Sequence, residues 1–304
     1  MMNGLSVTVA ELIALASQAH RVQYPPQGRA QRAGQHLSRW RGRGMDFSEA
    51  RNYQAGDDIR HMEWRMTART GRPHVKVYQE ERERPVFIVV DFNPSMYFGT
   101  RGAYKSVAAA RLAAVLAWTA AKQGDRVGGL VYSTTGHQEF VPRMRQAGIL
   151  PFLAGLSSYS QQTNTASHEE GQQAFQQALS RVQRLVKPGS ILVWISDFYH
   201  LNEQTESVLQ RARVHNDILT YHICDPLELA PPVPQSYGMT DGKTDVVIDT
   251  TVDSVRLGYQ SACEQRITSL TQAMKRLQTP YISLTAQTNL ALLVKQTFPQ
   301  RLRG

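Results

Sequence analysis

The chain has 304 residues, which at roughly 150 residues per domain predicts two domains, or one domain with a substantial extension. A content of 41 % hydrophobic and 19 % charged residues suffices to bury a core, and 34 Lys and Arg against 25 Asp and Glu leave a net charge of +9 that raises the question of anionic partners. The two cysteines, Cys224 and Cys263, exclude a disulfide framework and a Cys-based zinc site, and their scarcity fits a reducing cytosol.

Thr8-Val9-Ala10-Glu11 has capping-box spacing, and Leu12, Leu15, Ala16 and Ala19 then share one helical face, with Pro25 and Pro26 expected to end the helix. No basic residue precedes this apolar stretch and Glu11 interrupts it, which argues against a signal peptide. Arg21, Arg29, Arg32, Arg39, Arg41 and Arg43 follow without a single acid, interspersed with glycines, and read as a flexible basic connection. Gly56-Asp57-Asp58 is a turn able to cap a short helix from Ile59. Asp57, Asp58 and Arg60 read as a cap with an ion pair, and Trp64 as an anchor of a small N-terminal core. His74 to Glu80 alternates as a half-buried strand, and the charge run from Glu80 to Arg84 reads as a surface hinge.

The texture then changes. Val86-Phe87-Ile88-Val89-Val90 is continuously apolar and closed by Asp91, the pattern of a strand covered on both faces. An Ala-rich helix over about 103–122 follows. Its apolar part, Val107 to Ala121, falls short of the ~20 residues a bilayer needs and carries Arg111. No membrane segment is predicted, and the chain reads as cytoplasmic. Strands at 126–132 and 137–141, helices near 149–156 and 172–186, a strand at 191–195 followed by Asp197, a helix at 203–214 and a strand at 217–223 complete an alternation that predicts a doubly wound, mostly parallel α/β sheet. A Pro-rich connection, a hairpin turn at Asp241-Gly242, a helix over 252–278, a strand at 281–284 and a closing helix end the chain. The predicted division is an N-terminal α+β extension over 1–84 and a main domain over 85–304, with an insertion near 227–252.

Familiar catalytic motifs fail. There is no GxxxxGK[ST] phosphate loop, no GxSxG elbow, and His168-Glu169-Glu170-Gly171-Gln172 departs from HExxH at its last position. The nine histidines show no ligand spacing. What remains is Asp91-Phe92-Asn93-Pro94-Ser95 at the carboxyl end of the first buried strand, where open α/β sheets bind ligands. Asp91, Asn93 and Ser95 project to one side of an extended loop, Asp197 ends a second strand, and Thr163-Asn164-Thr165 can add a hydroxyl. Hard oxygen donors with few charges suit Mg²⁺ or Mn²⁺ better than zinc.

This pattern resembles the metal-ion-dependent adhesion site of von Willebrand factor A domains. Asp91 matches its first acid, Asn93 its first serine, Ser95 its second serine, Thr163 its threonine and Asp197 its last acid. Asn93 departs from the pattern by replacing a serine, and Gln161-Gln162 stand where many members have two glycines, which leaves Thr165 open as an alternative to Thr163. Arg51-Asn52-Tyr53-Gln54-Ala55-Gly56-Asp57-Asp58-Ile59-Arg60-His61-Met62-Glu63-Trp64, with Met45-Asp46-Phe47 before it and Glu80-Glu81-Arg82-Glu83 after it, resembles the family called domain of unknown function 58. That resemblance, over roughly residues 35–300, implies a von Willebrand A-like fold and a bacterial partnership with MoxR-type AAA+ ATPases. Because longer members carry transmembrane helices, it also implies the short cytoplasmic branch. The function it implies is a non-enzymatic, metal-dependent adaptor whose cation accepts a carboxylate from the ATPase or a client protein. Two alternatives stand beside it. A haloacid-dehalogenase-type phosphatase also places an Asp after its first strand, but Asn93 stands where that chemistry needs a second carboxylic acid. A nucleic-acid binder would use the basic stretch at 21–43.

Overall fold

Residues 4–19, 45–54, 56–80, 84–162, 167–240 and 245–298 are described by the structure, a computed structural model. Thr8 caps α1 (Val9–Ala14) by accepting from the Glu11 N–H, and a 3-10 turn over Leu15–Gln18 ends the helix. The prolines expected to stop it lie outside the described residues, as does the arginine-rich stretch. β1 (Met45–Asn52) pairs antiparallel with β2 (His74–Glu80), and between them sit a 3-10 turn at Ile59–His61 and α2 (Trp64–Thr70). β1 was not foreseen, because its sequence shows no apolar alternation and only its partner makes it a strand. The turn forms as expected, with Asp58 accepting from the Arg60 N–H at 2.9 Å. The ion pair differs from expectation, since Asp57 binds Arg51 through two contacts of 2.6 and 2.8 Å. Trp64 is no core anchor, for it is 64 % exposed.

The main sheet begins with β3 (Val86–Asp91), after which come α3 (Lys105–Lys122), β4 (Val127–Ser133) and the edge strand β5 (Gly136–Arg143). α4 (Gln146–Ser160) and α5 (His168–Leu185) lead to β6 (Ile191–Ser196), and α6 (Glu203–Arg213) leads to β7 (Asp217–Ile223). A short α7 (Pro226–Leu229), the antiparallel pair β8 (Ser236–Thr240) and β9 (Asp245–Asp249), the long α8 (Asp253–Arg276), β10 (Tyr281–Leu284) and α9 (Leu290–Thr297) follow. The turn at Asp241-Gly242 lies outside the described residues, although the strands on either side pair as the hairpin requires. The six strands are ordered β10-β7-β6-β3-β4-β5, parallel except for β5. The chain order therefore reverses between β3 and β6, a topological switch point of the kind that opens a crevice at the carboxyl ends of the strands.

Side-chain alternation explains the continuous apolar runs. Val86, Ile88 and Val90 face a core shared with α3 and α4, whereas Phe87 and Val89 face a second core against α5, around Trp194 and Phe175. α4 and α5 are both longer than their apolar patterns implied. α5 starts at a Ser167–Glu170 capping box, and α4 continues through Pro151. α1 docks on the first face, burying Val7, Leu12 and Leu15. Glu11 pairs with Arg111 at 2.7 Å, which explains the arginine in an otherwise apolar helix, and Trp118 Nε1 donates to the Leu12 carbonyl at 3.0 Å.

Candidate functional site

Period-two alternation places Asp91 on the α5 side of the sheet, next to Ser196 at the end of β6. The Ser196 hydroxyl donates to Asp91 Oδ2 at 2.7 Å, and the Asn93 N–H donates to Oδ1 at 2.8 Å. Asp91, Asn93, Ser196 and Asp197 are all fully buried. The Asn93 amide nitrogen approaches the Gly171 carbonyl in the first turn of α5 at 3.4 Å, which leaves its Oδ1 without a hydrogen-bond partner. The Ser95 oxygen is likewise buried and makes no hydrogen bond of acceptable geometry, although its proximity to Asp197 helps hold that carboxylate charged.

Burial, and next the Asp197 charge, push the Asp91 carboxyl up to about 7, against the opposing pull of the Ser196 and Asn93 donors. Asp197 goes the other way. Burial alone would raise it, but it is held well below the ordinary carboxylate value chiefly by Lys105, with smaller help from Ser95 and the Tyr199 N–H. Lys105 opens α3, is 2 % exposed, and places Nζ 2.9 Å from Asp197 Oδ2 and 2.6 Å from Glu228 Oε1 on α7. Burial pulls this ammonium down, yet the two carboxylates outweigh burial and hold it above the usual lysine value.

The structure thus brings Asp91, Asn93 and Ser95 together as the spacing implied, and places Asp197 beside them at the switch point. It differs from the simplest expectation in that Asp197 is already neutralised by an ammonium from its own chain. Thr163 and Thr165 lie outside the described residues. Sequence reasoning missed Lys105 and Glu228. The signal for Lys105 was a lysine at the head of an apolar helix, and for Glu228 it was the Asp225–Glu228 capping box.

Two orphaned buried oxygens beside a carboxylate fit a hard divalent cation, and that donor set, not a His or Cys cluster, is what the crevice offers. Among the described residues no group of three His, Cys, Asp or Glu side chains converges. Beside the crevice His200 packs over Gly171, where a Cβ would come within 2.5 Å of Nε2. Arg266 reaches over the Tyr199 ring at 4.7 Å and donates to the Asp197 carbonyl at 3.0 Å.

The family model for "Protein of unknown function DUF58" matches residues 49–268. The chain belongs to this family. Among curated relatives it is similar to "Uncharacterized protein Rv1480" of Mycobacterium tuberculosis, 26 % identical over 252 residues, spanning 83 % of this chain and 78 % of the relative. Similar solved structures include a von Willebrand factor type A protein from Catenulispora acidiphila. It is 12 % identical with a TM-score of 0.31, and the match covers 49 % of this chain and 35 % of that one. Another is an aerotolerance-related membrane protein from Bacteroides fragilis, 14 % identical with a TM-score of 0.43, covering 70 % and 96 %. The main domain is a mixed α/β fold built on a central, mostly parallel six-stranded sheet.

One expectation is corrected here. The cytoplasmic location read from the sequence is overturned by the description of the B. fragilis structure as a membrane protein. The physical reason is that a missing apolar helix cannot by itself locate a chain. Among the described residues no helix is long and apolar enough to cross a membrane.

Proposed function

We propose that this chain is a non-enzymatic protein-binding adaptor whose crevice holds Mg²⁺ or Mn²⁺, and that it works with a MoxR-type AAA+ ATPase in assembling or remodelling client proteins. The observation that carries this reading is Asn93 Oδ1, fully buried beside Asp91 without a hydrogen-bond partner, with the buried Ser95 oxygen next to Asp197 at the same end of the sheet. Burying a polar atom unpaired costs about 1–3 kcal/mol, a cost that a bound cation removes. Asp91 supplies the negative charge of the ligand set, Asn93 and Ser95 supply neutral oxygens, and Thr163 completes the set. Asp197 stays outside direct coordination, because the Lys105 ammonium already neutralises its charge. When bound, the cation supplies a Lewis-acid position open to a partner's carboxylate.

The test is titration calorimetry with Mg²⁺ and with Mn²⁺ on wild type, Asp91→Asn and Ser95→Ala, alongside capture of the purified MoxR-type ATPase with and without chelator. Wild type should bind one cation, Ser95→Ala should bind it more weakly, and Asp91→Asn should not bind it. Chelation should release the ATPase. Partner capture that survives both chelation and Asp91→Asn would refute the metal-bridged reading.

A further inference from the structure

The N-terminal segment presents a surface that the crevice does not use. Ile59 is 65 % and Trp64 64 % exposed, and both sit on the short helical elements between β1 and β2. At roughly 100° per residue, Trp64, Ala68, Arg65 and Arg69 fall within about 140° of the α2 circumference, and all four are exposed. Met66, Thr67 and Thr70 occupy the rest. That inner side is tied to β2, since the His74 N–H donates to Thr67 Oγ1 at 3.0 Å. Gly71, with φ of 70°, ends the helix in the left-handed region that favours glycine. The outer side is therefore held out on a fixed frame.

Its positive charge is in excess. Arg60, Arg65, Arg69 and Arg72 are exposed, and none of them enters an ion pair among the described residues. The neighbouring carboxylates are engaged chiefly elsewhere: Asp57 with Arg51, Glu63 with Lys76 at 2.9 Å and only secondarily with Arg65, and Asp58 with the turn backbone. Two exposed large apolar side chains, each followed directly by an arginine at Arg60 and Arg65, have the composition of an interface centre, where Trp and Arg are the residues that most often dominate affinity.

We propose that this face is a docking surface for an acidic protein segment, one that sets an apolar side chain against Ile59 and Trp64 and carboxylates against the arginines. Charge chooses the occupant. The chain's own stretch over 21–43 carries six arginines and no acid, and a second copy would bring the same positive face, so both repel. Nucleic acid would satisfy the arginines, but it offers no counterpart to the aliphatic Ile59, and one indole does not make a stacking track.

The experiment pans a displayed random-peptide library over the immobilised full-length chain. Recovered peptides are then titrated by fluorescence anisotropy against wild type, Trp64→Ala, Ile59→Ser and the double variant Arg65→Glu/Arg69→Glu. Circular dichroism shows that each variant keeps its fold, as the exposure of all four side chains predicts. The recovered pool should be rich in Asp and Glu flanking an aromatic or aliphatic residue. Its binding should weaken with salt, fall roughly 10–30-fold in Trp64→Ala and be lost in the charge-reversed variant. A pool with no acidic enrichment, or affinities unchanged in Trp64→Ala and the charge-reversed variant, would overturn the proposal. So would displacement of the peptides by a single-stranded oligonucleotide that still binds Ile59→Ser at full strength, an outcome that assigns the face to nucleic acid.

Discussion

Replacing Lys105 by Met keeps the length of the side-chain stem and removes only the ammonium. Glu228 can turn towards water, because its side chain is 26 % exposed, but Asp197 at 1 % cannot. The variant therefore strands a buried carboxylate that keeps one strong donor, the Tyr199 N–H at 3.1 Å. Breaking a buried pair from one side costs about 3–5 kcal/mol, which for a chain of this size lowers the melting temperature on the order of 10 °C. The stranded acid then escapes by binding a proton, so its folded-state pKa rises above the ordinary 3.8 and the deficit widens as pH rises. Converting the partner as well, in Lys105→Met/Asp197→Asn, removes the charge and should restore most of the loss. Mg²⁺ at a hundred times its Kd stabilises a one-site protein by about 2.7 kcal/mol, and the single variant should reach that gain at a lower concentration than wild type, because the cation there also replaces the ammonium. Urea unfolding of wild type, both single variants and the double variant gives the coupling energy. A Lys105→Met protein within about 1 kcal/mol of wild type would refute the reasoning, since it would mean that Asp197 is not held by this ion pair.

Acid sensitivity follows from two buried histidines. Burial pulls His200 and His222 down to about 4 from 6.5, so both are neutral in the folded state near pH 5 while the unfolded chain binds protons there. Each should add up to about 3 kcal/mol as pH rises from 4 to 6.5. Asp91, raised to about 7, opposes them, because its folded state keeps a proton the unfolded chain has lost. The melting temperature should therefore climb over that window in wild type and should fall with rising pH in His200→Gln/His222→Gln; a parallel profile in both proteins would refute the assignment. Gly171→Ala drives a methyl to 2.5 Å from His200 Nε2 and should cost about 1–3 kcal/mol in denaturant unfolding. Removing residues 1–19 uncovers the face that Val7, Leu12 and Leu15 bury, at about 1.5–3 kcal/mol per side chain, and should increase binding of an apolar dye; unchanged dye binding would show that the helix is dispensable.

The sheet was legible because every strand that both faces cover must be apolar at each position, as Val86–Val90 and Ile191–Ile195 are. Asp91 and Asp197 stood out for the same reason, as the first charges after those runs. Lys105 was hard to read as a site residue, because its partners lie 92 and 123 residues away and its only local mark is its place at the head of an apolar helix. Trp64 was misread on hydrophobicity alone. An indole near the start of a short helix looks like an anchor until the inner side is seen to be filled by Met66 and Thr67. The extra turn of α5 was readable from Ser167 and Glu170, whereas β1 exists only through its pairing with β2.

The docking of α1 has a consequence for how the chain matures. Val7 meets Ser160 across 153 positions, so this segment leaves the ribosome well before the seat it occupies. At 5–20 residues per second, synthesis alone imposes a wait of roughly 10–30 s before α3 and α4 are both available. Throughout that interval Val7, Leu12 and Leu15 wait without the surface that buries them. The chain is thus closed from α1 onto its own middle, like a clasp fastened only after α3 and α4 have formed.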